Sequence, residues 1–421
     1  MSAYNHFALI VVLSSLSLMT VAGPGDPLSL SEAEQLALDK DPVTKGLHAG
    51  MEAYEDLAVA QGQLPDPKIK LGMMNVPVDS FAIDAEPMTQ LQVGVQQMFP
   101  PGETLRYRRE YTEAMADVEK ARVLERRLKL LRDVRLSYLD LYYRSNADQI
   151  LQQNRSLFSE LLTITQRQYA SGRDNQHDVL RAQLELSLMD DRIMETEQQK
   201  DVARGGLARY VVFEQASRPL PDKFPDLKSI PALDQIKQNL PIHPLILIED
   251  AAIAASSKKV GEAEQQYKPG WSVDVTYGNR NGLNGDGSGR PDMLSAMVMI
   301  DVPLFTGNRQ DKKLSAAKKQ SLAQQFKRDD RLLELSSMLE TEYANWTRLK
   351  QRLELYRQRA SMDAKSNAES TLKAYQSDTA DFTTLMRAQL TELNTQLDML
   401  RVRVELAKAQ ARLLYLTGET Q

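Results

Sequence analysis

The chain has 421 residues, and its 52 Lys and Arg residues against 57 Asp and Glu residues give a net charge of −5. This balance provides no basic excess for binding nucleic acid, so we expect no nucleic-acid partner. Cysteine is absent, which excludes disulfides, thiol nucleophiles, Cys-bound zinc and a lipid-modified N-terminal Cys. The four His residues are isolated from one another, so we predict no metal site, no cofactor and no enzyme activity.

The first residues have the pattern of an export signal. Phe7 to Met19 is an apolar stretch of 13 residues, and Thr20-Val21-Ala22 supplies small residues for cleavage. We therefore predict a signal peptide over residues 1–23, although no Lys or Arg precedes the apolar stretch. A buried N-terminal helix is the alternative. Beyond this segment we find no apolar run of the roughly 20 residues that a membrane helix needs, so we expect any membrane-spanning part to consist of strands.

Proline divides the chain into four blocks. All 18 Pro residues fall between Pro24 and Pro101 or between Pro219 and Pro303. The two remaining blocks are predicted to be helical, because proline breaks helix interiors. Residues 103–171 and 308–376 are also free of glycine. At about 1.5 Å per residue, a helix over either stretch would reach roughly 100 Å, which is typical of a coiled coil or a tube.

The two halves of the chain resemble each other. Arg181-Ala182-Gln183-Leu184 recurs as Arg387-Ala388-Gln389-Leu390, 206 positions later, and Tyr169 matches Tyr375 at the same offset. This pattern indicates an internal duplication. We predict a first structural repeat over residues 24–218 and a second over residues 219–421. Each repeat would contain short helices, two strands, a long helix and a helix hairpin.

The second half carries a heptad seam. Apolar residues alternate spacings of three and four from Leu332 to Ala360 and again from Met386 to Leu414, and Glu342 is the single interruption. Residues 377–381 lie between the two series and are rich in turn formers and N-cap residues. The second series is therefore predicted to fold back antiparallel on the first.

Four segments alternate between apolar and polar residues, as strands with one buried or lipid-facing side do. Their lengths, near ten residues, suit a transmembrane barrel with apolar residues outside and polar residues inside. A soluble two-faced sheet is the alternative. Four strands cannot close a barrel, and a single-chain bacterial barrel needs at least eight, so strands from several chains are implied. The segments are residues 68–76, 90–96, 271–278 and 294–302.

Residues in and between these strands suggest two metal sites, one for calcium and one for Cu(I). Residues 279–292 are rich in Asn, Asp and Gly, as in a calcium loop, but Arg290 occupies the position of the bidentate Glu. A flexible exterior loop explains the composition better. Met297 and Met299 fall on the polar side of the last strand, and thioethers suit Cu(I). Packing, or a strand register shifted by one residue, also accounts for them.

Several short motifs accompany the duplicated halves, the four strands and the long helices. They are Leu36-Ala37-Leu38-Asp39-Lys40-Asp41-Pro42, Phe99-Pro100-Pro101-Gly102, Pro303-Leu304-Phe305-Thr306-Gly307, Tyr169-Ala170-Ser171-Gly172 and Asp178-Val179-Leu180-Arg181-Ala182-Gln183. Together these landmarks resemble the TolC family of outer-membrane efflux proteins, and the resemblance covers essentially the whole chain after the predicted signal peptide. It implies a mixed α+β membrane protein, in which three chains share one 12-stranded β-barrel, four strands per chain, that continues into a long periplasmic α-helical barrel.

This resemblance also implies a function and a set of partners. The protein would be a passive outer-membrane exit duct of a tripartite efflux system, carrying metal ions or drugs, with most of the chain in the periplasm. Its partners would be two further copies in a homotrimer, a periplasmic adaptor, an inner-membrane pump of the resistance-nodulation-division type, and outer-membrane lipid. A type I protein secretion duct and a periplasmic coiled-coil adaptor or scaffold are the alternatives.

The entrance of such a duct would lie where the helix hairpins turn. Three copies of the Asp residues at these turns would place a negative ring near the axis, which favours cations. Alternatively, these Asp residues only cap helices. One turn carries Asp378 where the family often has Gly, so details of a gate can differ here. The candidate entrance or gate residues are Tyr169, Asp174, Asp178, Tyr375, Asp378, Asp381 and Arg387.

Overall fold

The computed structural model describes residues 26–173 and 175–418. Within these ranges the chain forms long antiparallel helices and one small sheet. The predicted signal peptide at residues 1–23 and the candidate residue Asp174 lie outside the described residues. The helices are Leu30–Lys40 (α1), Pro42–Gln61 (α2), Thr104–Ala170 (α3), Gln176–Val211 (α4), Phe213–Ala216 (α5), Leu233–Asn239 (α6), Pro244–Gln265 (α7), Gln310–Leu355 (α8), Ser361–Gln376 (α9) and Phe382–Leu416 (α10).

The two stretches without glycine and proline form the predicted long helices. The first, α3, has 67 residues and is about 100 Å long at 1.5 Å per residue. In the second half, α8 continues through a π-helical turn, Tyr356–Ala360, into α9. A π-helical turn accommodates an extra residue within a helix. The heptad pattern contains no signal for this turn.

The helices pack side by side in one layer. Contacts join α4 to α3, α3 to α10, and α10 to α8 and α9, so both hairpins fold back as predicted. The heptad seam is confirmed, because Leu335, Leu339, Leu349 and Leu353 are buried. Glu342, which interrupts the seam, forms an ion pair with α10, because its carboxylate lies 2.9 Å from Nε of Arg412.

The equivalent helices α2 and α7 begin with different caps. Asp41 accepts a hydrogen bond from the backbone N–H of Thr44 at 2.9 Å, and the Arg126 guanidinium donates to both carboxylate oxygens, at 2.7 and 2.9 Å. At the equivalent position in the second half, His243 accepts from the N–H of Leu245 at 3.2 Å. Its other ring nitrogen lies 3.0 Å from the carbonyl oxygen of Tyr415. This carbonyl can only accept, so His243 is neutral and donates from Nε2.

The sheet has four antiparallel strands in the order β1-β2-β3-β4. Within the strands, its register places the predicted apolar residues on one face and the predicted polar residues on the other. For example, Leu71 pairs with Val93, Val93 with Tyr277 and Tyr277 with Leu294, all on the apolar face. The predicted alternation is therefore correct in all four segments. The strands are Lys68–Met74 (β1), Gln90–Phe99 (β2), Gly270–Asn279 (β3) and Met293–Asp301 (β4).

The polar face carries an ion pair that crosses the sheet. Lys70 on β1 reaches over β2 to the carboxylate of Asp274 on β3. Gly94 lies between them, and a Cβ there would come within 2.5 Å of the Thr276 hydroxyl. Glycine therefore leaves the room that this pair and Thr276 occupy.

Hydrogen bonds connect the loop between β1 and β2 to the loop between β3 and β4. The guanidinium of Arg290, between β3 and β4, donates to the backbone carbonyls of Asp84 at 3.0 Å, Glu86 at 2.9 Å and Asn281 at 3.0 Å. The first two belong to the loop between β1 and β2. Arg290 thus brings a positive charge into the loop whose Asn, Asp and Gly content is similar to that of a calcium loop.

One stretch, Leu233–Gln265, is long and apolar enough to span a membrane by length and composition. This differs from the sequence prediction, which required an uninterrupted apolar run, because Glu249 and Asp250 interrupt the run here while the mean hydropathy of the stretch stays high. In the structure the stretch is broken into α6, a 3₁₀ turn and α7. Helix α7 lies between α3 and α8, so it belongs to the helical layer.

The internal duplication extends to two left-handed backbone positions. Gly172, with φ of 76°, corresponds to Asp378, with φ of 57°, and Gly418, with φ of 74°, corresponds to Val212, with φ of 64°. Each pair is separated by 206 positions. Asp tolerates this conformation moderately well, whereas a β-branched residue is strained there. Val212 also has ψ of 156°, a combination that is normally restricted to glycine.

Candidate functional site at the hairpin tips

The two hairpins turn at equivalent places. Residues 171–175 connect α3 to α4, and residues 377–381 connect α9 to α10. Because α3 packs on α10, both turns lie at the same end of the helical layer, opposite the sheet from which α3 and α8 start. All the described candidate residues therefore lie at one end of the molecule, about the length of α3 from the strands.

Tyr375 is buried and joins the two hairpins. Its hydroxyl lies 3.3 Å from Oγ1 of Thr165 on α3, and only 3% of Tyr375 is exposed. The Thr165 hydroxyl donates its proton to the carbonyl of Leu161 at 2.9 Å. Tyr375 must therefore be the donor to Thr165. The Tyr375 ring also packs edge-on against Phe382, with centroids 6.0 Å apart.

A second hydrogen bond links the hairpins nearer the tips. Arg181 on α4 donates from Nη1 to the hydroxyl of Thr383 on α10 at 3.0 Å. Together with the Tyr375 contact, it connects the first repeat to the second along the last turns of the layer. The sequence pattern marks Tyr375 but neither Thr165 nor Thr383. Their partners are 210 and 202 positions away in the chain, respectively, so no local pattern marks them.

The Asp residues at the tips differ in their roles. Asp381 is the N-cap of α10 and accepts from the backbone N–H of Thr384 at 2.7 Å. That hydrogen bond, aided by the charge of Arg387, lowers the pKa of Asp381. Asp378 takes up the left-handed position in the turn. Asp178 lies in the first turn of α4, where its backbone N–H donates to the carbonyl of Asn175 at 3.1 Å, whereas its carboxylate forms no hydrogen bond or ion pair with another described residue.

Two candidates lie on the surface. Tyr169 is 48% exposed, although its equivalent Tyr375 is buried. Arg387 is exposed on the surface of α10. The structure thus brings Tyr375, Asp381 and the missed residues into contact networks, and leaves Tyr169, Asp178 and Arg387 facing outward from the isolated chain.

The chain contains the sequence signature of a known family. Residues 35–211 and 236–419 each match the family described as outer membrane efflux protein. The match is therefore twofold, as the internal duplication requires, and each part lies within one predicted repeat. The exact boundaries of the two repeats stay a prediction. No curated protein matches significantly.

Several solved structures share the fold. VceC from Vibrio cholerae is 17% identical, with a TM-score of 0.76, and the alignment covers 92% of this chain and 96% of that one. The CmeC outer membrane channel of Campylobacter jejuni is 12% identical, with a TM-score of 0.75 over 99% of this chain and 94% of that one. The open state of the MtrE channel of Neisseria gonorrhoeae is 15% identical, with a TM-score of 0.75 over 93% and 89%.

These comparisons confirm the main sequence predictions. The fold class is a trimeric 12-stranded β-barrel that continues into a periplasmic α-helical barrel, to which each chain contributes four strands. The location is the outer membrane, with a large periplasmic helical part. The family consists of channels, so the prediction that the protein is no enzyme is also confirmed. The chain belongs to the outer membrane efflux protein family.

Proposed function

We propose that three copies of this chain form an outer-membrane exit duct whose periplasmic entrance lies at the hairpin tips. The observation that carries the proposal is a sheet with one apolar face, one polar face and open edges at β1 and β4. The backbone groups of an open edge have no partner in lipid. Pairing β4 of one chain with β1 of the next satisfies both edges, and three chains supply twelve antiparallel strands.

The apolar face would contact outer-membrane lipid. Phe99 and Trp271 stack on this face with ring centroids 4.0 Å apart, at the end of the sheet nearest the helices. Phe305 follows β4 at the same end and is 87% exposed. Aromatic girdles of this kind mark the boundary between lipid and water in β-barrels. We infer that these rings lie at the periplasmic boundary of the membrane.

The helical layer leaves apolar residues exposed at its two edges. Leu180, Leu184 and Leu188 follow one another at intervals of four on α4, and each is about half exposed. Leu355 in α8 and Met362 in α9 are exposed at the other edge. We infer that α4 of one chain packs against α8 and α9 of the next, which would close the layer into a tube.

The internal duplication suggests how the entrance is held shut. Thr371 corresponds to Thr165 and likewise donates to its own helix, at 2.7 Å to the carbonyl of Asn367. Tyr169 corresponds to Tyr375 but is exposed. We infer that Tyr169 donates to Thr371 of the partner subunit, so that three contacts within chains and three between chains hold the resting entrance closed.

The acidic residues at the tips would attract cations toward this entrance. Asp178 and Asp381 lie at the starts of α4 and α10, and the trimer contains three copies of each. The capping role of Asp381 is compatible with this one, because its carboxylate stays ionised.

The partners would be a periplasmic adaptor and an inner-membrane pump of the resistance-nodulation-division type, which would supply the energy for carrying metal ions or drugs. Docking of either protein would replace the contacts between hairpins. Deleting the gene tests this directly, because it should sensitise cells to metal ions or drugs as strongly as deleting the pump, and deleting both should add nothing. Unchanged tolerance to both classes would contradict the proposal and favour protein secretion.

A further inference from the structure

The polar face of the sheet, which becomes the inner wall of the proposed barrel, has an unusual composition. Nineteen residues of the four described strands lie on it, and apart from five methionines they are Lys, Asp, Gln, Ser, Thr or Gly. No Leu, Ile, Val, Ala or aromatic residue is among them. If this wall simply tolerated apolar side chains, Leu, Ile or Val would be expected there as well as Met. The five are Met74, Met98, Met293, Met297 and Met299.

Three of these methionines cluster near the helical end of the sheet. Ser272 on β3 pairs with Met98 on one side and with Met299 on the other. Their Cα atoms are therefore two strand spacings apart, about 10 Å, and Met297 is roughly 7 Å from Met299 along the same strand. The short side chain of Ser272 leaves space between them, and methionine is long and unbranched. Met98 and Met299 flank Ser272, and Met297 flanks Asp274, so the three thioethers surround the space above β3 between these two residues.

The other two methionines lie toward the loop end of the sheet. The side-chain amide of Gln92 donates to the sulfur of Met74 at 3.5 Å, and that of Gln90 donates to the sulfur of Met293 at 3.7 Å. Both sulfurs thus lie on the polar face as acceptors. Met293 is six residues from Met299, about 20 Å along β4. The thioethers form a lower group of three and an upper group of two along the direction of transport.

We propose that this wall binds a soft monovalent metal ion, Cu(I) or Ag(I), at Met98, Met297 and Met299, and passes it outward to Met74 and Met293. Thioethers are soft, neutral ligands that select such ions over hard cations. The site rests on the proposed function, since it names a cargo class for that duct. The assigned site also depends on the strand register. The sequence alone left this register open, and the observed strand pairing places the methionines on the polar face.

The direct test uses the purified trimer and Ag(I), added as silver nitrate in chloride-free buffer. The chain has no cysteine, so sulfur around the bound ion in an X-ray absorption spectrum can come only from methionine. We expect sulfur ligands in the wild-type protein. A spectrum with only oxygen or nitrogen ligands would overturn the proposal, whatever the variants do.

The variant test replaces Met98, Met297 and Met299 together with Leu, which keeps the volume and apolar character. We expect a loss of Ag(I) affinity of more than about 100-fold, because even groups outside the ligand shell are worth roughly 10- to 100-fold. Met73→Leu, on the apolar face of β1, is the matched control and should bind as the wild type does. Unchanged Ag(I) affinity in the triple variant would refute the assigned site.

Cell assays separate this proposal from the proposed function. If the duct carries soft metal ions, the triple variant should restore tolerance to organic compounds in a deletion strain but restore less tolerance to silver. Equal restoration of both would overturn the metal proposal alone. If the wild-type gene restores tolerance to neither organic compounds nor silver, the proposed function as an exit duct is wrong.

Discussion

The hydrogen bond between Tyr375 and Thr165 allows a quantitative test of the entrance. Tyr375→Phe keeps the ring and its packing against Phe382 but removes the only proton that the contact uses. Both partners are buried, so the bond is worth about 0.5 to 1.5 kcal/mol. Three copies in a trimer give about 3 kcal/mol in total, or roughly a 100-fold shift in the equilibrium between closed and open entrances.

The assay is single-channel recording in planar bilayers. Tyr375→Phe should raise the open probability of the reconstituted trimer, and Thr165→Val should raise it by a similar amount, because both remove the same bond. The double variant should add little to either single change, since the two residues share one interaction. Tyr54→Phe is a suitable control, because the Tyr54 hydroxyl makes no hydrogen bond to another described residue.

Two results would refute the reasoning. If Tyr375→Phe leaves the open probability at the wild-type value while the trimer stays intact, the contact stabilises the helices and does not close the entrance. If the effects of the two single changes add fully, the two side chains act separately. The same recordings on Tyr169→Phe test the inferred contact between subunits, which should shift the equilibrium in the same direction.

Four further changes test other parts of the structure. Val93→Arg should reduce outer-membrane levels, since charge at bilayer depth costs roughly 2 to 4 kcal/mol, whereas Gln92→Arg on the polar face should be milder. Val212→Gly should raise the midpoint of unfolding by relieving backbone strain of about 1 to 3 kcal/mol, partly offset by the greater entropy of unfolded glycine. Gly261→Ala should lower that midpoint, because its Cβ would meet the Tyr107 ring at 2.2 Å. Burial lowers the pKa of His243, so stability should be full above pH 6.5 and fall as the pH drops below it, and His243→Asn should flatten this dependence.

Matched controls sharpen these tests. Gly46→Ala lies in α2 with nothing within 4 Å of the added Cβ, so it should leave stability unchanged or raise it by up to about 1 kcal/mol. Gly418→Val introduces the strain that Val212→Gly relieves and should destabilise. His48→Asn replaces an exposed histidine and should leave the pH dependence intact. Outer-membrane levels of Val93→Arg equal to wild type would contradict the assigned lipid face.

The regular parts of this fold were predictable because their signals are local. Residues 103–171 lack glycine and proline, so nothing interrupts a helix there. The strand faces follow from alternation, because a period of two leaves one apolar side.

The contacts that define the entrance were not predictable, because they depend on which helices become neighbours. Tyr169 and Tyr375 occupy equivalent positions, yet only Tyr375 is buried, since within one chain only it has the next hairpin beside it. The ion pair between Lys70 and Asp274 joins residues 204 positions apart across an intervening strand. The π-helical turn at Tyr356–Ala360 has no marker in the heptad pattern.

The sheet has open edges at β1 and β4, which supports the view that three chains complete one barrel. The mass of the assembly tests this most directly. Protein extracted from the outer membrane should migrate on unheated gels, and appear in native mass spectra, as an assembly of three chains. Boiling should release single chains of no more than 47.5 kDa. A monomer in the unheated sample, with β1 and β4 left unpaired, would contradict the shared barrel and with it the proposed duct.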